Sequence, residues 1–391
     1  MKLTLPLLIA LLLAPLAALH AAELLLPAAI EHVRIERSDS DRYSHHVSAS
    51  DEQVKEAWSL PMKSTLSLLT DISRRTFLQR SAGVLAASAG LLEYAKAETE
   101  NTYGVETPEL RSRAEVEAVL GKAPKPAAES SLRPLTILFA GGAKDHPPRS
   151  HSHDVLPKRW KVLLGGARPG DEAMTNMFRP QAEADRELIA AGSPRVKALS
   201  TLEWPTEEHF ATADVVALYQ HPKCWSDARH LQQIEAFLNR GGGLVLSHYV
   251  LWHASAALAD LLGLAKGKDS QYKHKVVRLK LPAPRHPIMH GLPDTFTLAE
   301  ECFWNLQGDR SKVTALATSD EVVGDKVSAE PVIWAYDRGK GRVVASTLGH
   351  FDWTFDDPFF RTILLRGIAW AAGESPYRFD SLILRGIPLK D

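Results

Sequence analysis

The sequence predicts a three-layer α/β domain, a mostly parallel sheet flanked by helices. Short apolar runs alternate with amphipathic stretches from Pro134 onward. Several of those runs end in Gly or His instead of a hairpin turn, as buried parallel strands opening into loops do. The helical stretches begin at capping residues and stop at glycines. Such an alternation needs a sheet covered on both faces.

The elements follow in order. Residues 135–140 (Leu-Thr-Ile-Leu-Phe-Ala) are the first strand, ending at Gly141-Gly142. Residues 181–191 read as a helix stopped by Gly192, and residues 195–200 and 214–219 as the next strands. Residues 226–240 form an amphipathic helix with Ser226 as its N-cap, Leu231, Ile234 and Leu238 on one face, and Gly241-Gly242-Gly243 at its end. The strand 244–248 runs into a helix near 254–262, and later strands cover 276–281, 312–318, 332–335 and 342–347. The last two are joined by a hairpin through Arg338-Gly-Lys-Gly341, whereas residues 299–304 (Ala-Glu-Glu-Cys-Phe-Trp) read as a loop. The final helix starts with Asp356-Asp357-Pro358, buries Phe360, Ile363, Leu364, Ile368 and Ala371, and stops at Gly373.

Upstream of this domain lie two export patterns. Residues 1–22 have a lysine, a Leu/Ala-rich core and small residues at Ala21-Ala22, as a Sec-type signal peptide does. From Met62, Ser73-Arg74-Arg75-Thr76-Phe77-Leu78 resembles a twin-arginine motif, followed by a mildly apolar stretch and Ala95-Lys96-Ala97. The expected organisation is a leader or extended start over 1–61, a twin-arginine signal over 62–97, a linker over 98–133 with a short helix near 108–120, the α/β domain over 134–374 and a tail over 375–391. If Met62 is the true start, residues 1–61 come from an extended reading of the gene; otherwise the first peptide is the working signal. Both readings place the mature protein in the periplasm or outside the cell, with no stable membrane span.

The composition narrows the partners. The 391 residues carry 46 basic and 47 acidic side chains, so nothing favours nucleic acid or a charged membrane surface. The two cysteines, Cys224 and Cys302, are not spaced as metal ligands. Sixteen histidines are the unusual feature. In open α/β sheets ligands bind beyond the carboxyl ends of the strands, and there the histidines gather. His146, His151 and His153 follow the first strand, His221 the strand at 214–219, His248 and His253 the strand at 244–248, and His350 the last strand. Glu300 and Glu301 precede a run of aromatics. Neutral imidazoles with a carboxylate suit a borderline divalent metal such as Zn²⁺; the same groups also serve as general acids and bases without one. No Gly-x-Gly-x-x-Gly, phosphate loop or nucleophile elbow is present. Cys224, between Pro222 and Trp225, reads as loop packing.

Over residues 134–373 the chain resembles the ThuA-like (trehalose-utilisation) family, whose fold is like that of class I glutamine amidotransferases. The resemblance rests on residues 137–142, Ala213-Asp214-Val-Val with Gln220-His221, residues 234–248, His286-Pro-Ile-Met-His-Gly-Leu-Pro293, Glu300-Glu301, and Pro331 through Leu348-Gly-His350 to Trp370. It implies a role in catabolism of disaccharides or keto-sugars and a metal held by His221, His248, Glu301 and His350. Glu300 or His253 would then move a proton, and Trp225, Trp252, Trp304 and Trp353 are either core aromatics or surfaces on which a sugar stacks. His286 is expected to be structural. The amidotransferase cysteine has no counterpart near His248, which excludes glutaminase chemistry. Two functions remain at this point: a metal-assisted hydrolase, lyase or isomerase acting on a glycoside, or a non-catalytic sugar-binding accessory protein.

Overall fold

Branched and aromatic runs form the sheet, and the alternation of side chains along them builds a core on each face. The computed structural model describes residues 103–125, 127–172, 174–177 and 190–390. All of these fall in one compact unit, Glu100–Asp391. Both export patterns and most of the predicted helix over 181–191 lie outside the described residues. Among the described residues no helix is long and apolar enough to cross a membrane.

Strands β1 (Leu135–Ala140), β2 (Val196–Thr201), β3 (Val215–Leu218), β4 (Gly243–Ser247) and β11 (Gly341–Ser346) pair in parallel in the order β2-β1-β3-β4-β11. The same sheet continues through antiparallel partners β10 (Lys326–Arg338), β9 (Thr314–Val323), β6 (Gln271–Lys280) and β7 (Thr295–Trp304). Two short strands, β5 (Leu264–Ala265) and β8 (Gln307–Gly308), pair separately. Ile137 and Phe139 of β1 and Val245 of β4 face one core, whereas Leu138, Leu244 and Leu246 face the other. This is the period of two that a sheet buried on both sides requires.

Helices α1 (Arg113–Leu120), α2 (Leu156–Gly165), α3 (Glu207–Thr212), α4 (Ala228–Asn239), α5 (Ala256–Leu262), α6 (Asp352–Asp356) and α7 (Pro358–Ala371) complete the layers. The three-layer architecture expected from the sequence is present. Helix α7 begins as predicted: the Asp357 carboxylate accepts from the amides of Phe359 and Phe360, and Pro358 occupies the first turn. The cap of α4 differs. Ser226 closes a 3₁₀ turn over Pro222–Ser226, and Asp227 is the N-cap, accepting from the Arg229 amide at 2.9 Å.

The second correction concerns residues 299–304, which are strand, not loop. They form the end of β7 in register with β6, Glu301 opposite His274. Beyond the predicted domain, Val116 and Val119 of α1 and Phe379, Leu382 and Ile383 near the C-terminus join the core.

Candidate metal centre

The site lies where β1, β4 and β11 end and β7 crosses. His248 is the first residue after β4, with φ of 60°. A non-glycine residue held in that left-handed region is strained, and such strain gathers where a side chain must be aimed. His350 follows β11 through Gly349, whose φ is 123°. A Cβ at Gly349 would stand 2.9 Å from Cζ of Phe355 and 3.4 Å from Cβ of His248. Glycine there serves both the turn and the close approach of the two histidine loops.

The loop after β1 supplies His151, also at positive φ (46°). Backbone hydrogen bonds stitch that loop to the end of β11: His151 N to His350 O and Asp352 N to Arg149 O, both at 2.9 Å. Gly141 allows the loop to fold back, since a Cβ on it would overlap the His153 carbonyl.

Four buried side chains converge: His151, His248, Glu301 and His350, whose ligand atoms all lie within 4.8 Å of one another. His151 Nε2 is 2.9 Å from His248 Nε2 and 3.0 Å from His350 Nδ1. His350 Nδ1 is 3.2 Å from His248 Nε2. Glu301 Oε2 is 3.2 Å from His248 Nε2 and 3.1 Å from His350 Nδ1.

Partners on the far side of the rings fix which nitrogens are bare. His248 Nδ1 lies 2.8 Å from the Thr347 carbonyl, which can only accept, so the proton sits on Nδ1 and Nε2 presents a lone pair. His151 Nδ1 faces Asp145 Oδ1 at 3.3 Å, which leaves its Nε2 bare in the same way. Burial holds His151 down to about 2 and His350 to about 3, so neither of these rings takes up a second proton near neutral pH. Two imidazole lone pairs facing each other at 2.9 Å repel, and a cation between them removes the conflict. A tetrahedral Zn²⁺ with bonds of about 2.0–2.1 Å places its donors about 3.3 Å apart. The donor set therefore fits such an ion.

Glu301 completes the charge balance. Burial alone would raise its carboxyl, but the neighbouring His248 and His350 rings outweigh this and hold it well below the usual range. Its other oxygen, Oε1, is 3.3 Å from His274 Nε2. Asp145 has the same sense. Burial would raise it, but hydrogen bonds from His146 and His151 prevail and keep it ionised.

The structure brings together three of the four ligands expected from the sequence and adds His151. His221 stands aside: its Nδ1 accepts from the Lys223 amide at 3.0 Å, so its proton is on Nε2, 3.8 Å from Asp145 Oδ2. Such a nitrogen cannot bind a metal. Glu300 is fully buried, and its two oxygens accept from the amides of Glu301 (2.8 Å), His350 (3.1 Å) and Phe351 (3.2 Å). It clamps the His350 loop, and its carboxylate faces backbone amides. His253 lies past the 3₁₀ turn His248–Leu251, half-buried, and is not one of the converging groups.

Of the four tryptophans, Trp225, Trp304 and Trp353 are buried, each donating its indole N–H to a carbonyl. Trp252 is half-buried against Phe303 and Tyr272. His286 accepts from the Ile288 amide in its own turn. Cys224 and Cys302 are free thiols, and burial pushes both up.

Two site residues carried no role in the sequence reading. His151 was visible only as one of three histidines after the first strand, and His274 lies ahead of the strand expected from residue 276, which begins at Gln271.

Fold and site together define a class: a three-layer α/β domain of the class I glutamine amidotransferase-like fold, with a buried His/Glu cluster at the strand ends that could hold a metal. The chain belongs to the ThuA family, described as trehalose utilisation, whose model matches residues 171–371. That membership ties it to trehalose or related sugar metabolism. The structure is similar to that of a ThuA-like protein from Parabacteroides merdae, at 18% identity and a TM-score of 0.42, over 62% of this chain and 92% of that one. It is also similar to a ThuA-like protein from Bacteroides uniformis, at 14% identity and a TM-score of 0.44, over 65% and 99% of the two chains. Among curated proteins, none matches the chain by sequence.

Proposed function

We propose that this is an exported, metal-assisted enzyme that processes a disaccharide or keto-sugar as a hydrolase, lyase or isomerase. The observation that carries the reading is the 2.9 Å approach of His151 Nε2 to His248 Nε2 beside an ionised Glu301. His151, His248, His350 and Glu301 would hold the ion, which when bound polarises a carbonyl or hydroxyl oxygen.

The chain's own groups do the rest. Asp145 orients His151 from behind, as a carboxylate commonly does for a metal-binding imidazole. Asp145, His146 and His221 are partly open to solvent, with side-chain exposures of 21%, 28% and 34%. His221 carries its proton on Nε2, facing Asp145, so this group is placed to hold a proton for a ligand entering from that side. The partly exposed edge formed by His146, His221, Tyr249 and Asp145 offers hydrogen-bonding groups and one carboxylate, which suit an uncharged, polyhydroxylated ligand. Export rests on the two leader patterns, and N-terminal sequencing of the mature protein tests which of them operates. A mature start near Glu23 would overturn the twin-arginine route.

The decisive measurement is elemental analysis of protein purified without chelator. About one equivalent of a divalent metal is expected in the wild type, with a loss of 10- to 100-fold or more in affinity for His248→Ala. A metal-free wild type would overturn the metal reading. Activity on a panel of oxidised and ordinary disaccharides, lost on chelation, separates an enzyme from a sugar-binding accessory protein.

A further inference from the structure

The metal centre has a wall that comes from the segment ahead of β1. Tyr103 lies before α1, ahead of the family-matched residues 171–371, and its ring sits against the site. It stacks on His274 with centroids 4.5 Å apart and an interplanar angle of 27°. It meets the His350 ring edge-on at 4.7 Å and the Phe351 ring at 5.6 Å. Its hydroxyl is 3.4 Å from Ser150 Oγ, one residue from His151.

Each neighbour bears on a ligand. His350 is one, and His274 Nε2 faces the outer oxygen of Glu301 at 3.3 Å, leaving Oε2 for the cluster. Nε2 of His274 is buried and makes no hydrogen bond, so the ring's setting rests on packing, and Tyr103 is the stacked partner. The segment that carries Tyr103 is anchored beyond it. Val105 is buried with Ala299, Phe351 and Trp353, and Arg111 pairs with Asp357 at 2.7 Å while its guanidinium lies 4.0 Å over Phe359.

We propose that residues 103–111 form a strap that completes the metal centre, with Tyr103 as a positioning residue. Through His274 it sets the rotamer of Glu301, and through its contact with His350 it covers that side of the site. The centre is therefore built jointly by the loops at the strand ends of the α/β domain and the segment ahead of β1. This rests on the metal reading above.

The test uses the full chain loaded with Zn²⁺ or Co²⁺, in wild type, Tyr103→Phe, Tyr103→Leu and His274→Gln. Two quantities are read: the rate of Zn²⁺ release to a chromophoric chelator, and the visible absorption of the Co²⁺ form. Tyr103→Leu keeps an apolar filler and removes the stacking. It is expected to release metal about 10- to 100-fold faster, with a shifted Co²⁺ spectrum, as is His274→Gln. Tyr103→Phe keeps the ring and should stay within about 3-fold of wild type, since it loses only a neutral hydroxyl contact. A wild-type rate and spectrum in Tyr103→Leu would overturn the strap while leaving the metal site standing. A wild type that takes up neither ion overturns both. Should Tyr103→Leu fail to fold, His274→Gln with wild-type rate and spectrum overturns the proposal by itself.

Discussion

Glu300 and Glu301 are adjacent and both buried, yet their surroundings drive them in opposite directions. Burial raises Glu300 above the ordinary glutamate value, whereas the histidine partners of Glu301 overcome burial and lower it. The first therefore acts on the backbone and the second on the cluster. Glu300→Gln leaves a single acceptor oxygen for three amides, and one buried amide without a partner costs about 1–3 kcal/mol. Urea unfolding should show a loss of that size, together with a weaker metal site because the His350 loop is released. The buried histidines set the acid response of the metal-free protein. His151, His153 and His350 are held by burial to about 2, 4 and 3, against about 6.5 when unfolded. Below pH 6.5 the unfolded chain thus binds protons that the folded chain refuses, so stability falls as the pH drops. The melting temperature of the metal-free protein should be level near pH 7–8 and decline steeply towards pH 4. His350→Gln removes one refused proton and should flatten that decline.

At the level of elements, the ends of β4 and β11 carry the site, and both were legible. Each is an apolar run ending in Ser-His or Leu-Gly-His, and the strand-end rule points there directly. The strand β7 was not. Its last residues are buried on both sides, so no alternation marks them, and the Glu300-Glu301 pair interrupts the apolar run. His151 escaped for a different reason. It sits in the long loop between β1 and α2, where neither period assigns direction, and only the backbone stitching to His350 turns it inward. His221 drew attention as a strand-exit histidine, but its turn-capping bond takes the nitrogen that could have bound. The joint between β11 and α6 offers the sharper test. Gly349→Ala places a Cβ in the region that side chains avoid and against Phe355 and His248. Backbone strain of this kind costs about 1–3 kcal/mol. Thermal unfolding should register that loss, and metal affinity should fall with it because His248 and His350 are pushed apart. Equal stability and affinity in the variant would show that the loop tolerates a side chain there.

For the whole molecule, the layers themselves were readable from the alternation of runs, whereas the packing of the flanking segments was not. Residues 103–133 read as polar and linker-like because only a few of them are apolar. Those few are well used: Val116 and Val119 are buried in the main core, and Arg111 neutralises the half-buried Asp357 that caps α7. A chain starting at Pro134 would expose the surface under both valines and leave Asp357 without its cation. Burial of each valine is worth about 1.5–3 kcal/mol, and a charge left unpaired adds to the loss. Truncation to residues 134–391 is therefore expected to lower stability by several kcal/mol relative to a chain starting near residue 100, read as an earlier midpoint in urea. The longer chain carrying Arg111→Ala should still be more stable than the truncated one, because the valines contribute independently of the ion pair. Coincident midpoints for the truncated and longer chains would mean that the leading segment lies outside the cooperative unit, and that the family domain holds its metal centre without it.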